Sequence, residues 1–237
     1  MDIAPITRTA VSDVVYTRIV EEILSGRIAP GDSLPSEREL SLSFQVNRHA
    51  IREALKRIRQ TGLIQISQGG RTRVSDWREN AGLDTLSAVV AAGVVPPLEL
   101  LRDVVVMQRS IGADAARQCA VNASDEQLED VMAAARAYPE QGTAVDFALA
   151  DTRFWIAVIE GTGNIVYRLA HNSLISAFSA INLPVVTEWP VNEFTDRASR
   201  MALAEIIADR DAEKARSYAD RLLTDFVTRF ESAARGE

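Results

Sequence analysis

Turn-forming residues cut the stretch from Ser12 to Trp77 into pieces too short to fold as anything but a small, closely connected unit, and this segmentation constrains the chain more than any other feature. Val15, Ile19, Val20, Ile23 and Leu24 recur at helical spacing, with Ser12 placed to cap the helix and Gly26 to stop it. Residues 29–35, APGDSLP, are turn chemistry, because Pro restricts φ and Gly admits positive φ. Ser36 with Glu39 three residues on is a capping box, opening a short helix that ends near Phe44. Asn47 caps the next helix, which Gly62 ends. Apolar and polar residues then alternate on either side of Gly69-Gly70, the pattern of a two-stranded hairpin.

Three short helices followed by a hairpin predict a winged helix-turn-helix, its second and third helices joined by a short turn. Residues 77–84 are polar and unpatterned and read as a linker. Beyond them the apolar patterns are helical throughout, as in LELLRDVVVMQRSIGADAARQCA and DAEKARSYADRLLTDFVTRFESAA. The expected fold class is therefore mainly α, with a winged helix-turn-helix at 1–76, a linker at 77–84 and an all-α helical bundle at 85–237.

Charge divides along the same line. Residues 1–77 carry 11 Lys and Arg against 9 Asp and Glu, a net of +2, whereas the remainder carries 15 against 24, a net of −9. A slightly basic head on an acidic body points to a polyanion that meets the head alone.

Arg48, Arg52, Lys56 and Arg59 form a stripe on the third helix, beside an apolar face of Ile51, Leu55 and Ile58. A basic stripe by itself is an ordinary solvated face. Its place, after a capped helix and before a hairpin, makes it the recognition helix, whose N-terminal half enters the major groove of duplex DNA. Arg48 and Arg52 lie in that half, one turn apart, where the guanidinium fork suits guanine O6 and N7 or a phosphate. His49 sits between them with a polar edge. Arg57 points off the stripe and reads as a surface or core-edge residue. Arg38, early in the preceding helix, is placed where a phosphate or groove edge would pass. Gly69 and Gly70 let the hairpin tip approach DNA closely, and Arg71 and Arg73 add charge there.

The run from Tyr16 to Val74 resembles the winged-helix domain of GntR-type bacterial transcription regulators. The markers are G-x-I-x-P-G-x-x-L-P-S-E-R-E-L, V-x-R-x-x-I-R-E-A-L, I-x-x-x-G-L-I and the hairpin glycines. The resemblance implies DNA contacts from Arg38, Asn47, Arg48, His49 and Arg52 and from the tip residues Gln68, Gly69 and Gly70. Asn47 and His49 stand where the family often has small hydroxyl residues.

The body is similar to the helical ligand-binding domain of the FadR branch, the FCD type, through ADAARQCA, D-x-x-F with G-N at Asp151 to Asn164, and IIADRDAEKARSYADRLL. Many such domains hold a divalent metal with an Asp and three His, beside a small carboxylate effector. Here Asp151 takes the aspartate slot, but the histidine slots fall on Trp155, Arg200 and Leu222, and the chain holds only His49 and His171. No metal or other cofactor is expected. The resemblance then implies a metal-free cavity for an anionic effector, an organic acid or acyl-type metabolite, lined by Arg102, Arg109, Asp151, Trp155 and Arg200. Arg200 either supplies the positive charge that a metal would, pairs internally with Asp151, or lies on the surface. His171 follows helical spacing in an apolar segment and reads as a core or edge residue.

The expected protein is a homodimeric, effector-responsive regulator, a repressor by family analogy, with a DNA-binding protein whose body only dimerises as the alternative. Nothing favours an enzyme: the phosphate loop GxxxxGK[ST] is absent, Cys119 has no second cysteine, and the G-x-G of EGTGN follows a helix rather than a strand. A lone cysteine in a helical setting, no span-length apolar run and no signal pattern predict a cytoplasmic protein away from membranes.

Overall fold

The computed structural model describes residues 10–66, 70–180 and 197–235. Its described residues form two compact units, Met1–Val95 and Pro96–Glu237. The first contains α1 (Val11–Leu24), α2 (Glu37–Phe44), α3 (Arg48–Gln60), β1 (Ile64–Ile66), β2 (Thr72–Val74), α4 (Trp77–Asn80), a 3-10 turn (Leu83–Thr85) and α5 (Leu86–Ala91).

Val15, Ile19, Val20, Ile23 and Leu24 are the buried stripe of α1, packed on Ala50, Ile51, Ala54 and Ile58 of α3. Ser12 does not cap α1. Ala10 is the N-cap, and its carbonyl already accepts from the amides of Asp13 and Val14, which leaves Ser12 inside the first turn. The capping box of α2 is formed in full: Ser36 Oγ accepts from the Glu39 amide at 3.3 Å, and the Glu39 carboxylate accepts from the Ser36 amide at 2.8 Å. Asn47 Oδ1 accepts from the Ala50 amide at 2.9 Å and caps α3. Between these helices Gln45 adopts a left-handed conformation, and Ser41 Oγ donates to the Val46 carbonyl at 2.6 Å, which fixes the turn.

β1 and β2 pair antiparallel with Ile64 opposite Val74, Gln65 opposite Arg73 and Ile66 opposite Thr72. Residues 31–34 run along the outside of β2: the Leu34 amide donates to Thr72 O at 2.9 Å and the Val74 amide to Asp32 O at 2.9 Å. Gln68 and Gly69 lie outside the described residues. Residues 77–84, read as a linker, are instead folded. Asp76 caps α4 through the Arg78 amide, and the buried Val89 of α5 belongs to a helix packed on α1. Gly62 shows why α4 docks there: its φ is +78°, and a Cβ would strike the backbone of Asn80. The compact boundary accordingly falls at Val95, not within 77–84.

The second unit is all helical: α6 (Pro97–Asn122), α7 (Asp125–Arg136), α8 (Ala144–Glu160), α9 (Ile165–Ala180), α10 (Arg197–Ala208) and α11 (Ala212–Arg235). Helix α6 is its axis, touching α8, α9, α10 and, along its length, α11. Small residues make this possible, since Ala115, Ala116, Cys119 and Ala120 are buried on α6 against Phe154, Trp155, Val158 and Ile159 of α8. Cys119 is buried and its thiol is pushed up to about 12 by desolvation, so it is an inert core residue. No helix among the described residues is long and apolar enough to cross a membrane.

Candidate nucleic-acid interface and the interior of the helical unit

Helix α3 turns Arg48, His49, Arg52, Lys56 and Arg59 to solvent while Ile51 and Ile58 are fully buried. Leu55, expected on the buried face, is half-buried and lines a groove instead. That groove holds about 800 Å³ between α3, the start of α2 and the hairpin, with Arg52, Lys56 and Arg59 on one wall and Gly70, Arg71 and Thr72 on the other. Arg38, Arg48, His49, Lys56 and Arg59 are exposed and form no hydrogen bond or ion pair with another described residue. Arg71 is exposed and engaged in an interaction of its own. Arg73 is exposed and donates to the Gly31 carbonyl at 2.6 Å.

Arg52 is different. Its Nε and Nη2 donate to the two carboxylate oxygens of Glu37, at 3.3 and 2.9 Å. The hydrogen bond to Arg52 holds the Glu37 carboxyl below the usual carboxylate range, with smaller help from the charge of Arg48. Glu37 was not singled out from the sequence, because a pair spanning two helices leaves no local signal. Asn47 spends its carbonyl oxygen on the α3 cap. Arg57 pairs with Asp13, and its guanidinium lies 4.5 Å from the centre of the Tyr16 ring, so it clamps α1 to α3 and faces away from the groove.

In the helical unit Arg200 is 2% exposed and donates from Nε and Nη2 to Asp151 Oδ1, at 2.9 and 2.5 Å. Tyr138 and Phe154 offer ring faces 5.5 and 6.0 Å from its guanidinium carbon. Arg200 thus pairs with Asp151. Arg109 does not join them: it binds Asp220 of α11 at 2.8 Å in an open surface groove that also holds Asp114, Glu213 and Arg216. Arg102 is exposed on α6.

Trp155 is buried, and with Gln108, Ile111, Gly112, Ile159, His171 and Leu174 it encloses a cavity of about 10 Å³, room for one water molecule. Neither Trp155 Nε1 nor His171 Nε2 has a hydrogen-bond partner among the described residues. Burial, and next the charge of Arg168, lower the pKa of His171 and keep its imidazole neutral. His171, expected as a core or edge residue, is fully buried and lines this cavity. A divalent metal does not fit. Asp151 is committed to Arg200, Trp155 offers no ligand atom, and no cluster of three or more His, Cys, Asp or Glu forms among the described residues.

A family model matches part of each unit. Residues 11–74 match the model described as bacterial regulatory proteins, gntR family, and residues 103–225 match the FCD domain. The chain belongs to the GntR family of bacterial transcription regulators. It is 30% identical over 223 residues to the HTH-type transcriptional regulator Mce2R of Mycobacterium tuberculosis, covering 94% of this chain and 92% of that one. It is 30% identical over 222 residues to the HTH-type transcriptional repressor NanR of Klebsiella aerogenes, covering 89% and 82%. Among solved structures, that of Lar, from Listeria monocytogenes, matches with a TM-score of 0.54 at 16% identity, over 95% of this chain and 99% of that one, a likeness of fold. The family and these relatives are regulators rather than enzymes.

Proposed function

We propose that this GntR-family regulator binds a near-palindromic operator as a homodimer and represses from it. Two copies of α3 would enter successive major grooves about 34 Å apart. The observation that carries this reading is the exposed face of α3, where Arg48 and Arg52 stand one turn apart in its first half, next to a groove walled by Lys56, Arg59 and the hairpin. Arg48 and Arg52 read bases, with His49 and the amide of Asn47 beside them. Arg38, Lys56, Arg59, Arg71 and the hairpin tip at Gln68, Gly69 and Gly70 meet phosphates. The test is an operator selected from a random duplex library. Arg48→Ala and Arg52→Ala should each weaken it by about 1–3 kcal/mol and relax preference at one base pair. Unchanged binding in the double variant sinks the assignment.

The helical unit, in this proposal, binds a small metabolite that shifts DNA affinity by linkage. An organic acid or acyl-type effector fits only if its anionic group displaces Asp151 from Arg200, because that buried cation is already matched. A second reading, in which the body dimerises and binds no effector, gains support from the cavity of about 10 Å³ beside Trp155. Thermal-shift screening of sugar acids, dicarboxylates, aromatic acids and acyl-CoA, with hits tested for operator release, separates the two. Indifference to every compound favours the second.

A further inference from the structure

We propose that Glu37 is a specificity-determining residue that presets Arg52 to chelate one guanine of the operator, an inference that rests on α3 being the groove-reading helix. Glu37 opens α2 and Arg52 lies in the second turn of α3, fifteen residues on, so only the crossing of the two helices brings them together. A guanidinium carries five N–H donors in a rigid fork. Glu37 takes the Nε and Nη2 side, at 3.3 and 2.9 Å. Both hydrogens of Nη1 and the second hydrogen of Nη2 remain, and one from each nitrogen projects from the end of the fork. That end is the edge that matches guanine O6 and N7. The Arg52 side chain is still 65% exposed, so the edge left over faces solvent beside the groove.

Restraint changes what an arginine can do. A mobile guanidinium reaches phosphates as readily as bases, and it loses rotamer freedom when it docks. Holding it beforehand removes part of that ordering cost, roughly twofold to tenfold in affinity for one long side chain. The same carboxylate sets a negative charge near the DNA backbone, which weakens binding to any duplex whatever its sequence. Glu37 therefore exchanges general affinity for discrimination. The other carboxylate on this rim, Glu39, is occupied by the Ser36 capping box and does not compete for Arg52. Arg48, Lys56 and Arg59 pair with no described residue, which suits the less directional work of meeting phosphates or a second base.

The experiment uses the full chain and a site it selects from a random-sequence duplex library. Binding is measured to that site, to each single base-pair variant and to a non-specific duplex, with thermal melting as the check on folding. Arg52→Ala locates the base pair whose preference it loses. Glu37→Gln should lower preference at that base pair about twofold to tenfold, spare the other positions, and hold or strengthen non-specific binding. Glu37→Asp, which keeps the charge on a shorter arm, should restore part of the preference, and it carries the same comparison if the Gln variant melts lower. Full preference at that base pair in Glu37→Gln overturns the proposal and leaves the recognition reading standing. Equal loss at every position also overturns it, since a structural defect alone does that. If Arg52→Ala alters preference nowhere, the recognition reading fails first and this inference with it.

Discussion

Both Nε and Nη2 of Arg200 donate to a single carboxylate oxygen of Asp151, tying α10 to α8 inside the helical unit. The sequence left Arg200 as an effector's counter-charge, a partner of Asp151 or a surface residue. The geometry selects the second, and it means that the one buried cation of the described residues is neutralised from within.

Asp151→Ala should therefore destabilise the helical unit by about 3–5 kcal/mol, because it strands a buried guanidinium. Replacing both partners with apolar side chains, Asp151→Leu with Arg200→Met, should cost much less than the single change. Urea unfolding of the three proteins measures this. A single variant as stable as the wild type would show that the pair contributes little.

The purified protein should contain no stoichiometric divalent metal, and its melting temperature should not move on adding EDTA. With Trp155 and Arg200 in two of the slots where the resemblance implies histidine, Asp151 is already committed, because its oxygen accepts two hydrogen bonds from Arg200. Elemental analysis decides. One bound zinc or nickel per chain would contradict the pairing seen here.

What could be read from the sequence followed how local each interaction is. The caps at Ser36 and Asn47 were legible because donor and acceptor lie three residues apart. Ser12 misled because the Ala10 carbonyl closes the first turn of α1 without any side chain. Arg102 and Arg109 were expected to line one cavity, but nothing local says that Asp220 of α11 covers Arg109. The pairs Glu37–Arg52 and Asp151–Arg200 span 15 and 49 residues, and a spacing of that kind carries no signal until the helices cross. Residues 85–95 show the same limit, since their apolar pattern announces a helix but not that α5 would pack on α1.

His171 should give the helical unit a pH dependence of definite sign. Burial lowers its pKa below the ordinary 6.5, with Arg168 acting the same way and Asp151 opposing. As pH falls, the unfolded chain takes up this proton before the folded one does. The stability from His171 is thus full above about 6.5 and is lost as pH drops through that value and on through the lower folded one. Melting curves between about pH 7.5 and about pH 5.5 should fall more steeply for the wild type than for His171→Leu. Parallel slopes would show that His171 charges as easily folded as unfolded.

Arg57 should matter to the stability of the first unit and not to its choice of operator. Its ion pair with Asp13 is half exposed, with side-chain exposures of 46% on both sides, so solvent screens it, while the Tyr16 ring adds a cation–π contact. Arg57→Ala should cost about 1 kcal/mol in denaturant unfolding. Preference among operator variants should match the wild type once binding is compared below the melting temperature. A shift in base preference would place Arg57 in the interface after all.

Asn47 combines two roles that substitution can separate. Its Oδ1 caps α3 through the Ala50 amide, which leaves only the side-chain NH2 to reach DNA. Asn47→Ala removes both and should lower stability by about 1 kcal/mol. Asn47→Asp keeps an equally good cap, so stability should hold, but it replaces a donor with a negative charge at the mouth of the groove. Operator affinity should then fall while the melting temperature stays. Should Asn47→Asp bind the operator as well as the wild type, Asn47 is a cap alone, and base reading at this end of α3 rests on Arg48 and His49.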